Sequence, residues 1–418
     1  MPRRCIDKRS APFLFARCCN NVIVRILFVT SRVPGREHRG DQLRAYQHIV
    51  GLSGRHEITL LALDSVGASR DVDQQLTACC KQVIIIRHTF PVMALHALQA
   101  LWTGRPLQVE AFNMRQLHVA LNRCLSSQQF DLLHVQLVRL GALVEATLPI
   151  PVVVDFVDAL SMNMLRRSVH DRGPMRWLAK FEAKRLAKYE RVVSAAASAA
   201  TVSSAVDQNE LGAGAHLHQV DNGVDIDRFP FATGDRRPFD LVFVGNLGYF
   251  PNVDAMSWFI TMVLPRLVVK FPSIRLNLVG ARPARSLKRF AEHVPQVQLV
   301  GVVPDVHPHF ASATLAIAPL RAGSGQQLKV LEAMASGTPV VVSGVTARGL
   351  AAVDGQDLLV ADGVEATVNA ISRLLNDPDL RRELAINARK LVERQYTWGR
   401  SGTKLERVWQ LTARAAIG

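Results

Sequence analysis

The stretch Pro319–Val342, PLRAGSGQQLKVLEAMASGTPVVV, constrains the fold of this chain more than any other segment. Leu315–Leu320 (LAIAPL) is a short apolar run closed by proline and predicts a buried strand. Gly323 and Gly325 follow, and glycine lets a backbone come close to a ligand. A helix is expected from about Gln327. Its first turn leaves N–H groups unpaired, and with the macrodipole these form an anion site to which Lys329 adds a point charge. Glu332 falls one turn on, where a carboxylate can accept from two neighbouring ribose hydroxyls. Ala333, Met334 and Ala335 read as packing residues, and Gly337 with Pro339 ends the helix before a strand over Val340–Ser343. The unit is strand, loop, helix, turn, strand. On its own such a helix with a Gly-Pro exit also serves ordinary α/β packing.

The same alternation runs through the rest of the chain. Val24–Thr30, Glu57–Leu63, Gln82–Ile86, Leu132–Val135, Val152–Phe156 and Ala200–Ser203 are apolar runs separated by helical patterns, which predicts a doubly wound parallel sheet. Ligands of such sheets bind beyond the carboxyl ends of the strands. That rule singles out Asp155 and Asp158 in VVVDFVDALSMN, where Asp158 serves equally well as a helix N-cap. After the first strand, Pro34, Gly35 and Gly40 make a loop leading into a helix from about Asp41, so Gly40, Asp41 and Arg44 are candidate cleft residues. A capped surface helix is the alternative for Arg44. Residues 232–238 (ATGDRRP) read as a linker, and a second strand–helix series opens at Asp240–Val244 with Gly245 and Asn246 behind it. Further strands are expected over Ile274–Val279 and Val297–Gly301, and helices over Leu374–Leu391 and Tyr396–Leu411.

With 418 residues, 49% of them hydrophobic, the chain can bury two cores. The formal charge of +15 fits anionic phosphorylated substrates, an anionic membrane surface or nucleic acid. Only 6% of residues are aromatic and no basic–aromatic recognition motif is present, so no nucleic-acid partner is expected. The six cysteines form no C-x-x-C pair, which suggests a reduced compartment and no metal site. No uninterrupted apolar run reaches spanning length, so a soluble or peripheral protein is expected. Residues 1–22 read as a basic, disordered extension. The basic segment Met164–Val193 reads as a solvated helix face in preference to a lipid-docking one, and the apolar residues of Phe90–Trp102 read as core in preference to an acceptor-lipid face.

The segment Gly325–Val342 resembles the GT-B glycosyltransferases of family 4, whose C-terminal domain carries an E-x7-E motif followed by A-M-A-x-G-x-P-V-V. Asp221-Asn222-Gly223-Val224-Asp225 with Phe229 resembles the signature that closes the first GT-B domain, and the likeness extends over about residues 23–411. Three positions depart from the pattern. Ser324 stands where the first motif glutamate falls, Val157 stands where many members have histidine, and Asn246 with the YFPNVDA segment stands in place of the usual arginine and lysine.

The resemblance implies two Rossmann-like doubly wound domains facing a cleft. Expected boundaries are a first, acceptor-side domain over 23–231, a nucleotide-sugar domain over 232–395 and a terminal helix over 396–418 packing back on the first. It further implies transfer of a sugar from a UDP- or GDP-sugar, with retention, to a lipid-linked or growing glycan acceptor. The variant resembles a bacterial exopolysaccharide or cell-envelope subgroup. Its place would be cytoplasmic, at most peripheral on the inner membrane face, with no cofactor and, with no acidic D-x-D pair beside the phosphate site, no metal. Lys329, Asp158 and Asp155 are the catalytic candidates. Around the donor stand Gly245, Asn246, Gly301, Val302, Gly323, Ser324, Gly325, Gln326, Gln327 and Glu332. The competing readings are a non-catalytic nucleotide- or glycan-binding protein and a GT-B sugar epimerase.

Overall fold

The computed structural model describes residues 22–36, 40–65, 72–145, 148–170, 173–212, 214, 216–323 and 325–416. Ser324 and most of the N-terminal extension lie outside these residues.

Two all-parallel sheets are formed in succession. The first comprises β1 (Arg25–Thr30), β2 (Glu57–Ser65), β3 (Gln82–His88), β4 (Leu132–Gln136), β5 (Val152–Val157), β6 (Ala199–Val202) and β7 (Leu217–Gln219). Its order is β3-β2-β1-β4-β5-β6-β7. The second comprises β8 (Arg237–Val244), β9 (Arg275–Val279), β10 (Val297–Gly301), β11 (Ala313–Ala318), β12 (Val340–Val342) and β13 (Leu359–Val360), in the order β10-β9-β8-β11-β12-β13. Every residue of β4, β5 and β11 is buried, as expected of parallel strands covered by helices on both faces. In each sheet the chain reverses direction beside its first strand, between β1 and β4 and between β8 and β11. The crevice beyond the carboxyl ends at such a switch point is where open α/β sheets bind ligands.

The helices that frame the site are α1 (Gly40–Leu52), α2 (Phe90–Leu98), α3 (Ala100–Thr103), α4 (Leu160–His170), α5 (Pro174–Ala196), α6 (Phe250–Trp258), α7 (Leu264–Lys270), α8 (Leu328–Ala335) and α9 (Trp398–Ala415). Between α6 and α7 the chain makes a π-helical turn, Phe259–Val263. Pro265 offers no N–H to a continuing α-helical ladder, and the π turn carries the helix past it. By composition Phe250–Lys270 is apolar enough to cross a membrane, a helix not foreseen from uninterrupted runs. Here Met256, Phe259, Ile260, Val263, Leu264 and Leu267 are packed into the core of the second domain with Leu241 and Phe243 of β8.

Two expectations are corrected. The single helix expected over Leu374–Leu391 is two, Val364–Asn376 and Pro378–Gln395, because Pro378 cannot continue a helix and Asp377 caps the second one. The segment Phe90–Trp102 is not core: Phe90 is 79% and Trp102 80% exposed, and no residue of α2 is buried.

The final helix returns to the first domain. Trp409, Leu405 and Val408 share a core with Ile26, Phe28 and Tyr46. Three histidines join it there: His48 Nε2 meets Ser401 Oγ at 2.8 Å, Trp409 Nε1 donates to His134 Nδ1 at 3.1 Å, and His56 Nε2 lies 3.1 Å from Glu406. Burial holds all three below the ordinary imidazole value, His134 to about 4. They fold neutral, whereas the unfolded chain takes up protons below about pH 6.5. Their contribution is therefore complete above that pH and is lost as pH falls below it, for His134 down to about 4, by up to about 1.4 kcal/mol per histidine and pH unit. Melting temperature measured between pH 7 and 5 should fall, and His134→Gln, which keeps an acceptor for Trp409, should fall less steeply. Parallel slopes for the two proteins would remove His134 from this account.

Candidate functional site

At the end of β5 the backbone makes a sharp bend. Val157 adopts φ 63°, a left-handed conformation that is costly for a β-branched side chain, and Asp158 N donates to Phe156 O at 2.7 Å. The bend is supported from below by Asp155, whose Oδ1 accepts from Val157 N (3.2 Å) and Thr201 Oγ1 (2.8 Å). Arg44 completes the carboxylate, with Nε 2.8 Å from Oδ2 and Nη2 3.2 Å from Oδ1. Burial opposes ionisation of Asp155, but the charge and hydrogen bonds of Arg44 outweigh it and hold the carboxyl at about 2. Both residues are fully buried. This corrects Arg44 as a cleft residue and Asp155 as a catalytic candidate: the two form an internal ion pair that shapes the site from within.

The bend aims Asp158 at the opposite domain. A Cβ on Gly325 would overlap the Asp158 carboxylate, so the donor-side loop approaches this acid as closely as glycine permits, at φ 69°. Asp158 is not an N-cap. The first free N–H groups of α4 are taken by other acids, Ala159 N by Asp207 (3.0 Å) and Ser161 N by Glu190 (3.1 Å). Burial and the neighbouring Asp207 raise the Asp158 pKa, against a hydrogen bond from Ser203.

Across the cleft, Gly245 follows the last residue of β8 and Gly280 that of β9, and a side chain on Gly280 would run into Gly245 O. This close approach clears room for Lys329. Its Nζ donates to Asn252 Oδ1 at 2.6 Å, lies 4.6 Å from the centre of the Phe243 ring, and would stand 3.1 Å from a Cβ on Gly245. Asn252 in turn donates to Asn246 O at 2.9 Å, tying the β8 loop to α6. Burial lowers the Lys329 pKa to about 7, with Glu332 opposing. Glu332 is three residues further along α8, and burial raises it to about 7 against the charges of Arg228 and Lys329. An ammonium whose charge is suppressed by desolvation is a strong receptor for an anion that restores it.

The remaining predicted residues divide into two sets. Gly40 faces α8, with Leu328 Cδ1 3.4 Å from where its Cβ would be, while the Asp41 carboxylate is held by Arg32 at 2.6 Å. Gly301 has φ 83°, its carbonyl accepts from Gly280 N at 2.7 Å, and Val302 is exposed at the rim. Gly323 accepts a hydrogen bond from Arg166 of α4, across the cleft. Gln327 caps α8 through its backbone, with no side-chain cap bond. Gln326 is a correction. Its amide is spent on the domain junction, donating to Asp221 Oδ1 (2.9 Å) and accepting from Asn222 N (2.7 Å), and it is buried.

Two residues escaped the sequence reading. Asn252 lies in the YFPNVDA segment, and its place in the third position of a helix following Gly245 was the available signal. Arg166 was hidden in a run of basic residues that read as a solvated face.

Residues 238–377, which hold Gly245, Lys329 and Glu332, match the model of the family described as glycosyl transferases group 1. The solved structures this fold resembles include sucrose-phosphate synthase from Thermosynechococcus elongatus, with TM-score 0.68 at 16% identity over 94% of this chain and 100% of that one. They also include Anabaena HepE in complex with UDP, with TM-score 0.64 at 14% identity over 93% and 100%. The chain has the two-domain GT-B fold, and its second domain carries the group 1 glycosyl transferase match. Curated relatives include phosphatidyl-myo-inositol mannosyltransferase of Mycolicibacterium smegmatis, 29% identical over 49% of this chain and 54% of that protein. Glycogen synthase of Mycobacterium tuberculosis is 29% identical over 47% and 48%. The chain thus spans about half the length of the curated relatives it matches.

Gly325 joins the two walls of this GT-B cleft, which makes it the most demanding position to alter. Gly325→Ala must find room against Asp158 and adopt a left-handed conformation costing about 1–2 kcal/mol. The expected outcome is a folded protein with a displaced donor loop and ligand affinity reduced at least about tenfold, read by titration calorimetry. Unchanged affinity would show that the loop bears no such constraint.

Proposed function

We propose that this protein transfers a sugar from a nucleotide diphosphate sugar to a hydroxyl of a glycan or lipid-linked acceptor, with retention at the anomeric carbon, as a family 4 type enzyme of exopolysaccharide or cell-envelope synthesis. The observation that carries the reading is the convergence of two carboxyl-end crevices, which sets the Lys329–Asn252 clamp beside Gly245 on one wall and Asp158 on the other.

In the reaction the bond from the sugar's anomeric carbon to the diphosphate oxygen breaks and the acceptor oxygen takes its place. The departing diphosphate gains charge. Lys329, the amides at the start of α8 and the Gly245 backbone are placed to stabilise it, and groups that strengthen as charge develops lower the barrier. Glu332 is suited to the ribose hydroxyls. Asp158, facing Gly325, is the carboxyl group nearest the place the sugar would occupy, where it can accept a hydrogen bond or a proton from a sugar or acceptor hydroxyl. Uridine and guanosine nucleotides are both compatible, since Gly301 and Val302 offer only backbone to a base. That HepE has been crystallised with UDP and with UDP-glucose favours testing uridine first.

A thermal-shift screen with UDP, GDP, ADP and their sugars tests the donor site, because a ligand that binds only the folded state raises its melting temperature. One nucleotide series should stabilise the protein, and Glu332→Ala should weaken that binding about tenfold. No shift with any nucleotide at millimolar concentration would overturn the assignment, and binding without transfer to any acceptor would select the non-catalytic alternative.

The low pKa of Lys329 gives a second, signed expectation. Above about pH 7 the empty site loses the ammonium while a bound diphosphate restores it, so binding takes up a proton and affinity should fall as pH rises through 7 to 9. Lys329→Met should bind more weakly at pH 7 and show a flatter profile. Identical profiles for both proteins, measured by calorimetry in two buffers, would place the proton elsewhere.

A further inference from the structure

The first domain carries a second concentration of unusual chemistry, on the edge formed by β3, α2, α3 and α5. Large apolar side chains point outward on α2 and α3: Phe90 is 79% exposed, Leu95 66%, Leu101 70% and Trp102 80%. The N-terminal half of α5 does the same with Trp177 at 73% and Phe181 at 58%. The two sets adjoin. Arg185 stacks on the Phe181 ring at 5.3 Å and donates through Nη2 to Ala100 O at 2.6 Å, one residue before Leu101. Further along α5 the exposed side becomes basic, with Lys184, Lys188 and Arg191 outward.

Behind α2 lies an open cavity of about 560 Å³ at the carboxyl end of β3. Arg87, Arg115, Arg123, His88 and His96 line it together with Val92, and no acidic residue does. None of the three arginines has an ion pair among the described residues. His88 is only 8% exposed, and the Nδ1 atoms of His88 and His96 have no hydrogen-bond partner. A cavity walled by free cations with unsatisfied imidazole nitrogens at its base is built for an anion. Val92 and His96 are one helical turn apart on α2 and face it, while Phe90, Leu95 and Leu98 project beside its mouth. Phosphate below and aliphatic and aromatic surface above is the layered chemistry of a phospholipid interface, where Trp and Phe sit at headgroup depth and Lys and Arg meet anionic charge.

We propose that this edge docks the protein on an anionic phospholipid bilayer, with a lipid phosphate in the Arg87–Arg115–Arg123 cavity and the side chains of α2, α3 and α5 inserted among the headgroups. Charge argues against a second copy as the occupant, because a two-fold contact through this face would set the cations of one molecule against those of the other. The inference does not depend on the reaction proposed above. It adds an orientation to it, since α4, which packs on α5, reaches the donor loop through Arg166, so the cleft would open next to the membrane.

The full-length protein is tested by flotation with vesicles of phosphatidylcholine alone and with roughly one-third phosphatidylglycerol. Binding is expected only to the anionic vesicles, to weaken with salt, and to shift Trp102 and Trp177 emission to the blue. A triple exchange Arg87→Glu, Arg115→Glu, Arg123→Glu and a separate Phe90→Ser, Trp102→Ser, Trp177→Ser variant should each reduce it by about tenfold or more, with an unchanged circular dichroism spectrum and cooperative melting as the sign of an intact fold. Millimolar inorganic phosphate that binds the protein but leaves vesicle binding intact would confine the cavity to free phosphate and overturn the headgroup assignment. Equal partition to neutral and anionic vesicles, wild-type binding by both variants, or a dimer that the serine variant alone dissolves would overturn the docking surface.

Discussion

The ion pair of Arg44 with Asp155 is the interaction on which the site is built. Neither residue touches water. Removing two charges from water is expensive, and such a pair seldom adds net stability over an apolar replacement, but removing one partner costs about 3–5 kcal/mol because the other is left buried and alone. What the pair supplies here is position. Its carboxylate holds the amide of Val157 in the bend that presents Asp158, and the third guanidinium nitrogen of Arg44 passes the constraint to Asn222 at 2.9 Å. Asn222 and Asp221 hold Gln326, two residues before α8 begins. One buried pair in the first domain thus fixes the acid on its own wall and the donor loop on the other.

The groups that face the cleft are poised in the opposite sense. Lys329 and Glu332 sit near neutrality because burial opposes the charge of each and their mutual attraction compensates only in part. Asp158 is raised by burial beside Asp207. An empty site of this kind is electrostatically incomplete. In the proposed reaction a diphosphate would complete it by restoring the lysine charge, whereas the Asp155 carboxylate is already satisfied by Arg44 and offers nothing to a ligand. The contrast separates supporting acid from working acid more clearly than distance from the cleft does, since the two carboxylates are three residues apart.

This also accounts for what was legible in the sequence. Strand positions and the two-sheet architecture follow from apolar runs of four to seven residues, because parallel strands buried on both faces leave that signature. The Gly-rich loop with Lys329 and Glu332 was visible because its meaning is local, set by one helix start. The roles of Arg44 and Asp155 were not, because their pairing spans 111 residues and a buried arginine looks like an exposed one in a single sequence. Arg166 was lost among other cations for the same reason. The exposed faces of α2 and α3 misled in the other direction: helical apolar spacing says that one face is distinct, and only packing says what covers it.

The chain crosses between domains twice, and the two crossings lie side by side. Val224 N donates to Tyr396 O at 2.8 Å, and a Cβ on Gly223 would stand 2.4 Å from Trp398 N, so glycine is required where the two segments touch. Asp221 is gripped at the same place by Lys404, by Ser401 Oγ through its carbonyl at 2.5 Å, and by Gln326. Two paired crossings confine relative motion of the domains to rotation about the line they share, as hinges at element ends commonly do. Because Gln326 belongs to the donor loop, that line passes beside the binding site. Rotation about a line displaces points in proportion to their distance from it, so Asp158 and Gly325, beside Gln326, keep their close approach while the outer rims of the cleft move apart most.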